Sequence, residues 1–322
     1  MSEPHANPEN TSHKTAWERD TLERLAFATL AEQRASRRWR VFFRMAWFVF
    51  AVVVLWTGLH KGGVGGSNPS QPHTAVVAIK GEIADGADAS AEWVVTALRA
   101  AFEDEGSQAI VLQINSPGGS PVQAGIINDE IRRLKVKHKK PVYAVVEESC
   151  ASAAYYIAVA ADEIYVDKAS IVGSIGVLMD GFGFTGLMDK LGVERRLMTA
   201  GVNKGFLDPF SPQTKPQRAH AQTLLDQIHQ QFIQVVRDGR GKRLKETPEL
   251  FSGLFWSGEQ AIDLGLADGF GNLDYVAREI VKAEDIIDYT RHDNVAERLA
   301  KRFGAAIGEG AVHALQTMPA VR

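Results

Sequence analysis

Short apolar runs and helical periodicities alternate along the chain from residue 74 onward. Runs rich in Val, Ile and Ala predict strands at residues 74–80, 108–115, 141–146 and 163–166. Helical spacing of apolar positions predicts helices at residues 91–102, 122–134, 155–161, 217–237, 258–264 and 273–282. Alternation of this kind is typical of a parallel sheet covered by helices, so the sequence predicts an α/β fold.

A separate apolar run, from Met45 to Leu59, follows a cluster of arginines. As a helix, that run spans only about 22 Å, against roughly 30 Å for the hydrocarbon core of a bilayer. Starting the helix at Val41 gives about 28 Å. The longer helix includes Arg44, whose side chain can reach the lipid headgroups from near a helix end. We therefore expect one transmembrane helix at residues 41–59.

Two alternatives to a membrane anchor fit this run less well. A cleaved signal peptide begins with a short charged region, whereas about 40 residues precede this run. A buried core helix does not ordinarily lie beside several arginines. Because basic flanks stay in the cytoplasm, we expect residues 1–40 to be a cytoplasmic tail and residues 60–73 a flexible linker. Residues 74–290 are then a folded domain outside the cytoplasm, and residues 291–322 are a C-terminal tail.

Composition narrows the functional classes. A chain of 322 residues with 45% hydrophobic residues is large enough for a membrane segment and one or two folded domains. The net charge of −3 gives no global reason to expect nucleic-acid binding. A single cysteine, Cys150, excludes an intramolecular disulfide and a multi-cysteine metal site.

Two predicted strands end in segments that suit catalysis. One is followed by Ser-Pro-Gly-Gly at residues 116–119, and the other by Cys-Ala-Ser-Ala at residues 150–153. Ligands gather at the carboxyl ends of parallel strands. Backbone N–H groups of Gly118 and Gly119, beside a helix N-terminus, would stabilise a developing oxyanion, with Ser152 as nucleophile. Taken singly, a Pro-Gly-Gly is most often a turn, and a serine among alanines is most often a cap or a packed small residue.

A nucleophilic serine needs a base, and no histidine lies between His138 and His220. A lysine can serve when burial lowers its pKa towards neutrality. The lysines that follow within reach are Lys168, Lys190 and Lys204. The aromatic and glycine-rich surroundings of Lys204 favour it over Lys168, which lies in a polar turn, and over Lys190, which lies in a helical turn as a surface pair with Asp189.

Five motifs in fixed order give the chain a family likeness. They are INSPGG at 114–119, CASAAYY at 150–156, GSIGV at 173–177, AGVNK at 200–204 and SGEQAIDLGL at 257–266. On these motifs the chain resembles the signal peptide peptidase A (SppA) family of bacterial serine proteases.

The resemblance implies a role for five residues. Ser152 corresponds to the nucleophile and Lys204 to the general base of a Ser-Lys dyad. Ser174 corresponds to a serine that orients the lysine amine, and Gly119 and Ala153 to the donors of the oxyanion hole. The family often has two glycines after the nucleophile, where this chain has two alanines.

The resemblance also implies the wider setting. It implies a crotonase/ClpP-like core, a ring-shaped homo-oligomer, apolar peptide substrates such as signal peptides, and no cofactor or metal. The protein would cross the bacterial inner membrane once, with its catalytic domain periplasmic or extracytoplasmic. Three alternatives remain open: a membrane protease of the same family acting on other membrane proteins, a crotonase-type acyl-CoA enzyme, and a non-catalytic scaffold of the same fold.

Overall fold

The computed structural model describes residue 39, residues 41–54 and residues 71–291. The chain divides into two units, Met1–Asn68 and Pro69–Arg322. In the first unit, residues 41–54 form helix α1, whose side chains are exposed. No helix within the described residues is both long and apolar enough to cross a membrane. The transmembrane helix expected at residues 41–59 is therefore not shown, and its last five residues lie outside the described part of the chain.

The second unit is built on an eight-stranded sheet among the described residues, with strand order β6-β5-β3-β2-β1-β8. Strand β4 pairs with β3 and with β7. Every pairing between these strands is parallel except β5 with β6. The strands are β1 His73–Lys80, β2 Ser107–Ser116, β3 Val142–Ala151, β4 Glu163–Val166, β5 Ile171–Gly173, β6 Phe255–Ser257, β7 Gly269–Phe270 and β8 Ile286–Asp288. The structure confirms the four predicted strands and the α/β class.

Helices follow most strands, as the sequence predicts. They are α2 Ala91–Glu103, α3 Pro121–His138, α4 Ala153–Ala158, α5 Thr185–Leu191, α6 Lys215–Arg240, α7 Gly258–Asp263 and α8 Leu273–Tyr275. A 3-10 turn at Gly241–Arg243 follows α6, and a π-helical turn at Val276–Val281 follows α8. The helix predicted at residues 273–282 is thus a short α-helical turn continued by a π turn. The helix predicted at residues 155–161 is α4, which begins directly after Ser152 and ends three residues earlier than predicted.

Both faces of the sheet are covered, which explains why its central strands read as continuous apolar runs. Val77 and Ile79 of β1 face a large core shared with α2, α3 and α4. Val76 of the same strand faces a smaller cluster that includes Tyr165 and Val276. Successive side chains of a strand point to opposite faces, so one strand serves both clusters.

The end of α6 is fixed by a buried ion pair. The Arg240 guanidinium is fully buried and donates two hydrogen bonds of 2.8 Å to the Asp268 carboxylate and one to the Gly265 carbonyl. Burial alone would raise the pKa of Asp268, but the hydrogen bonds and charge of Arg240 outweigh it, and the pKa is lowered. This pair joins the end of α6 to the turn that precedes β7, so the long helix has a fixed attachment to the sheet.

Candidate active site

The sheet brings together the two strand ends that carry the predicted catalytic segments. Strands β2 and β3 are parallel neighbours, and Ser116 pairs with Cys150 at their carboxyl ends. Strand β3 also pairs with β5, placing Ala151 beside Gly173. The Ser152 N–H donates to the Gly173 carbonyl at 2.8 Å. Segments that are far apart in sequence therefore meet at one edge of the sheet.

Ser152 occupies a strained turn between β3 and α4. Its φ is 53° and its ψ is −123°, a conformation that costs a non-glycine residue about 1–3 kcal/mol. Although Ser152 is the N-cap residue, its side chain accepts no capping hydrogen bond from the described residues of α4. The hydroxyl is therefore not committed to the helix, and strain of this kind is concentrated at functional sites.

Close packing of the loop 117–119 against this turn requires glycine at residue 118. A Cβ added to Gly118 would lie 2.7 Å from the Ser152 Cβ and 3.0 Å from the Ala153 nitrogen. The Gly118 N–H donates to the Ser116 hydroxyl oxygen at 3.1 Å. Ala153 is the first residue of α4, a position whose N–H has no intrahelical acceptor.

An isolated parallel bridge between Ile83 and Gly119 holds the loop 117–119 in place. The Ile83 N–H donates to the Gly118 carbonyl at 2.9 Å, and the Ser120 N–H donates to the Ile83 carbonyl at 2.7 Å. Gly119 lies between these two bonds with a φ of 148°. The loop is thus held rigidly beside Ala153, an arrangement that suits a pair of oxyanion donors.

A cavity of about 590 Å³ opens in front of Ser152. Of the five predicted site residues, Gly119, Ser152, Ala153 and Ser174 line it. Apolar and aromatic side chains form much of the remaining wall, from α4, the segment after β5, and α6; they are Tyr156, Val177, Leu178, Ile228 and Phe232. No sequence motif marks these wall residues, although Ile228 and Phe232 are spaced i, i+4 on α6, as expected for one helix face.

Lys204 lies elsewhere. It is exposed, in the segment between α5 and α6, and it is not among the described residues that line the cavity. The rings expected to surround it pack on other partners, Phe206 against His220 and Phe210 against Phe184. Lys168 and Lys190 are exposed as well. Ser152, Ser174 and Gly119 of one chain therefore line the same cavity, and none of the described residues that line it is a lysine.

Cys150 is a packed core residue. It is fully buried, and that burial raises the pKa of its thiol. A thiol that resists ionisation is a poor nucleophile. Within residues 71–291, no group of three or more His, Cys, Asp or Glu residues lies close enough to hold a metal ion.

Comparison with known proteins gives the family. The model of peptidase family S49 matches residues 134–286. A protein of Methanocaldococcus jannaschii, named as a protease candidate, is 32% identical over 65% of this chain and 68% of its own length. The chain belongs to peptidase family S49. This S49 protein is also 31% identical, over 61% of its length, to an Enterococcus faecium protein named for signal peptide peptidase SppA, of which it covers 57%. These findings confirm the resemblance to the SppA family.

Other similarities cover less of the relatives. A Brucella abortus protein named as the Na⁺/H⁺ antiporter NhaA is 49% identical over 55% of this chain. The S49 protein spans only 24% of the length of that relative. A solved structure of a ClpP1 mutant from Listeria monocytogenes has a TM-score of 0.37 and 18% identity, covering 61% of this chain and 91% of its own.

Proposed function

We propose that this S49 protein is a membrane-anchored serine endopeptidase that cleaves apolar peptides, including signal peptides left in the membrane. One observation carries the proposal. Ser152, on a strained turn with its hydroxyl uncommitted to α4, lies in one cavity with Gly119 and Ala153. A nucleophile beside two rigidly held backbone donors is the arrangement that acyl transfer requires.

The proposed reaction has two steps. The Ser152 hydroxyl attacks the scissile carbonyl while a base takes its proton, and the N–H groups of Gly119 and Ala153 stabilise the oxyanion. The C–N bond then breaks, the base returns the proton to the leaving amine, and an acyl-enzyme ester remains. Water, deprotonated by the same base, hydrolyses the ester and regenerates Ser152.

Lys204 is the base in this proposal, and Ser174 orients its amine. A lysine is a useful base only when burial lowers its pKa, and Lys204 is exposed in one chain. We therefore propose that Lys204 becomes covered, and reaches a Ser152, when copies assemble into the ring-shaped homo-oligomer. The neighbourhood of Lys204 supports this, because Met198 is 95% exposed and Val202 is 96% exposed. Clustered apolar exposure of this kind marks interaction surfaces.

Apolar substrates follow from the wall of the cavity. Tyr156 and Phe232 contact each other, with ring centroids 5.3 Å apart, and both line the cavity. Such a surface binds an apolar side chain by removing it from water. In the proposal, residues 41–59 anchor the enzyme in the inner membrane, with the catalytic domain on the periplasmic side.

Peptide cleavage by the full-length protein in detergent tests the proposal. Wild type should cleave an apolar signal-peptide-like peptide, and Ser152→Ala and Lys204→Ala should each lose at least about 10³-fold in kcat. The matched control is Lys190→Ala, an exposed lysine of α5, and it should keep wild-type activity. Full turnover by Lys204→Ala would show that the dyad is wrong.

A mixing experiment tests whether Lys204 acts on Ser152 of its own chain or on Ser152 of another copy. Ser152→Ala and Lys204→Ala chains are dissociated, mixed and reassembled, and peptide cleavage is then measured. Recovered activity shows that Ser152 and Lys204 come from different copies, since neither parent is active. No recovery, in a mixture that has reassembled, places both residues in one chain.

A non-catalytic scaffold is the second candidate, and the exposure of Lys204 favours it. A fluorophosphonate probe distinguishes the two, because it forms a covalent bond with an activated serine. Labelling of wild type that is lost in Ser152→Ala supports an enzyme. Absence of labelling and of cleavage in the assembled oligomer supports the scaffold.

A further inference from the structure

The wall segment, residues 174–176, carries Ser174 and has an unusual backbone. It directly follows β5, and Ser174 has a φ of 51°. The Ser174 N–H donates to the Leu254 carbonyl at 2.8 Å, and the Gly176 N–H donates back to the Ser174 carbonyl at 2.9 Å. A non-glycine residue at positive φ persists only where its surroundings hold it. The contacts of the wall segment therefore decide where the Ser174 hydroxyl lies.

One of those contacts comes from a side chain distant in sequence. The His229 Nε2 lies 3.0 Å from the Ile175 carbonyl oxygen, and because a carbonyl only accepts, Nε2 is the donor. His229 is half-buried on α6, and Ile175 is fully buried. The bond thus ties α6 to the carbonyl that directly follows Ser174.

The position of His229 on α6 explains how it reaches the wall segment. Its helix neighbours Ile228 and Phe232 line the cavity, as do Ser174 and Gly176. Helix α6 is anchored separately, through Phe232, Ile233, Val236 and Arg240, the buried residues of its second half. Loss of the His229 bond should therefore leave α6 in place and release the wall segment.

We propose that His229 is a positioning residue that acts through Ser174. It holds the wall segment so that the Ser174 hydroxyl stays in the cavity with Ser152, where it orients the base. This inference rests on the proposed peptidase function. Nε2 carries a proton in one neutral tautomer and in the imidazolium, so the bond does not depend on the charge of the ring.

Two substitutions in the full-length protein test the contact. His229→Leu removes the donor, and His229→Gln keeps an amide N–H at similar reach. Gln230→Leu, at the exposed neighbouring position, is the matched control. Amide hydrogen exchange of residues 171–177 should be about fivefold to tenfold faster in His229→Leu. Exchange should stay at the wild-type rate in His229→Gln and in the control. Melting temperatures should differ by less than about 4 °C.

Kinetic constants then show whether His229 positions Ser174 for catalysis or only maintains the shape of the cavity. His229→Leu should lower kcat about fivefold to tenfold with KM within about twofold, and His229→Gln should restore kcat. Unchanged exchange in His229→Leu overturns the proposal, whatever the activity. Faster exchange with unchanged kcat, or with a change in KM alone, also overturns it. A wild-type oligomer that neither cleaves nor labels at Ser152 overturns the proposed function and the catalytic role of His229 together. The exchange data then still report whether the contact exists.

Discussion

Gly119→Ala is the sharpest test of the loop beside Ser152. A Cβ at residue 119 would overlap the Ile83 carbonyl oxygen and lie 2.9 Å from the Ile83 carbonyl carbon. Real Cβ atoms do not approach backbone atoms so closely, so the loop and the segment around Ile83 must move apart. The φ of 148° at Gly119 adds backbone strain for any other residue.

The size of the effect follows from these contacts. A strained backbone conformation costs about 1–3 kcal/mol, and the two backbone bonds of Ile83 contribute about 1 kcal/mol each. The unfolding free energy should therefore fall by about 3–5 kcal/mol, which lowers the melting temperature by about 6–20 °C in a domain of this size. Displacing one oxyanion donor should also reduce kcat about 10²-fold to 10³-fold.

Thermal unfolding and peptide cleavage, measured on the same preparation, check both effects. Gly125→Ala is the matched control, because a Cβ there has nothing within 4 Å and Gly125 lies inside α3. Alanine is the better helix former by up to about 1 kcal/mol, so this control should keep its activity and lose no stability. If Gly119→Ala melted and turned over like wild type, the reasoning about the loop would be refuted.

Three further tests concern the rest of the domain. Arg240→Met should lower the unfolding free energy by about 3–5 kcal/mol in urea titrations, because it leaves the Asp268 carboxylate partly buried without its main partner. Hydrogen bonds and charge from Arg133 and Arg99 hold the pKa of Glu130 at about 2, so its contribution of at most about 3 kcal/mol is complete above pH 4.5 and lost towards pH 2. Glu130→Gln should flatten that decline in pH-dependent urea midpoints. Cys150, buried with a raised pKa, should resist alkylation at pH 8 until urea unfolds the chain.

The Arg240 and Glu130 tests each have a control variant. Arg237→Met breaks an exposed pair with Glu246 and should cost less than about 1 kcal/mol. Glu279→Gln, in another exposed pair, should leave the acid-side decline unchanged. Equal losses for Arg240→Met and Arg237→Met would show that burial does not set the strength of the Arg240 pair. Fast alkylation of the native protein would show that the region around Cys150 opens readily.

The sequence predicts the parts of the site that depend on local pattern. The apolar runs locate the end of β2 to within one residue, whereas β3 continues five residues beyond its predicted end, to Ala151. The parallel order brings residues 116–119 beside Ser152. The strain at Ser152 has no sequence signal, because a serine is an uncommon residue at positive φ. Nor does helical periodicity show that His229 reaches the Ile175 carbonyl, since the partner is 54 residues away in sequence.

The lysine shows the limit of local reasoning more clearly. Neighbouring aromatic residues suggest shelter for Lys204, yet whether a side chain is buried depends on which surfaces pack together. The Phe206 ring packs against His220 and the Phe210 ring against Phe184, while Lys204 is exposed. Composition near a residue in sequence therefore does not determine its solvation, and the role of Lys204 remains a prediction.

The pairing of β5 with the antiparallel strand β6 sets when the site can assemble during translation. Strand β5, whose Gly173 carbonyl holds the Ser152 N–H, has β3 on one side and β6 on the other. Residues 255–257 leave the ribosome long after Ser152, so a growing chain carries its serine beside an open sheet edge. The Leu254 carbonyl that fixes Ser174 arrives equally late. The turn at Ser152 and the wall segment that carries Ser174 can therefore be completed only after most of the chain has been translated.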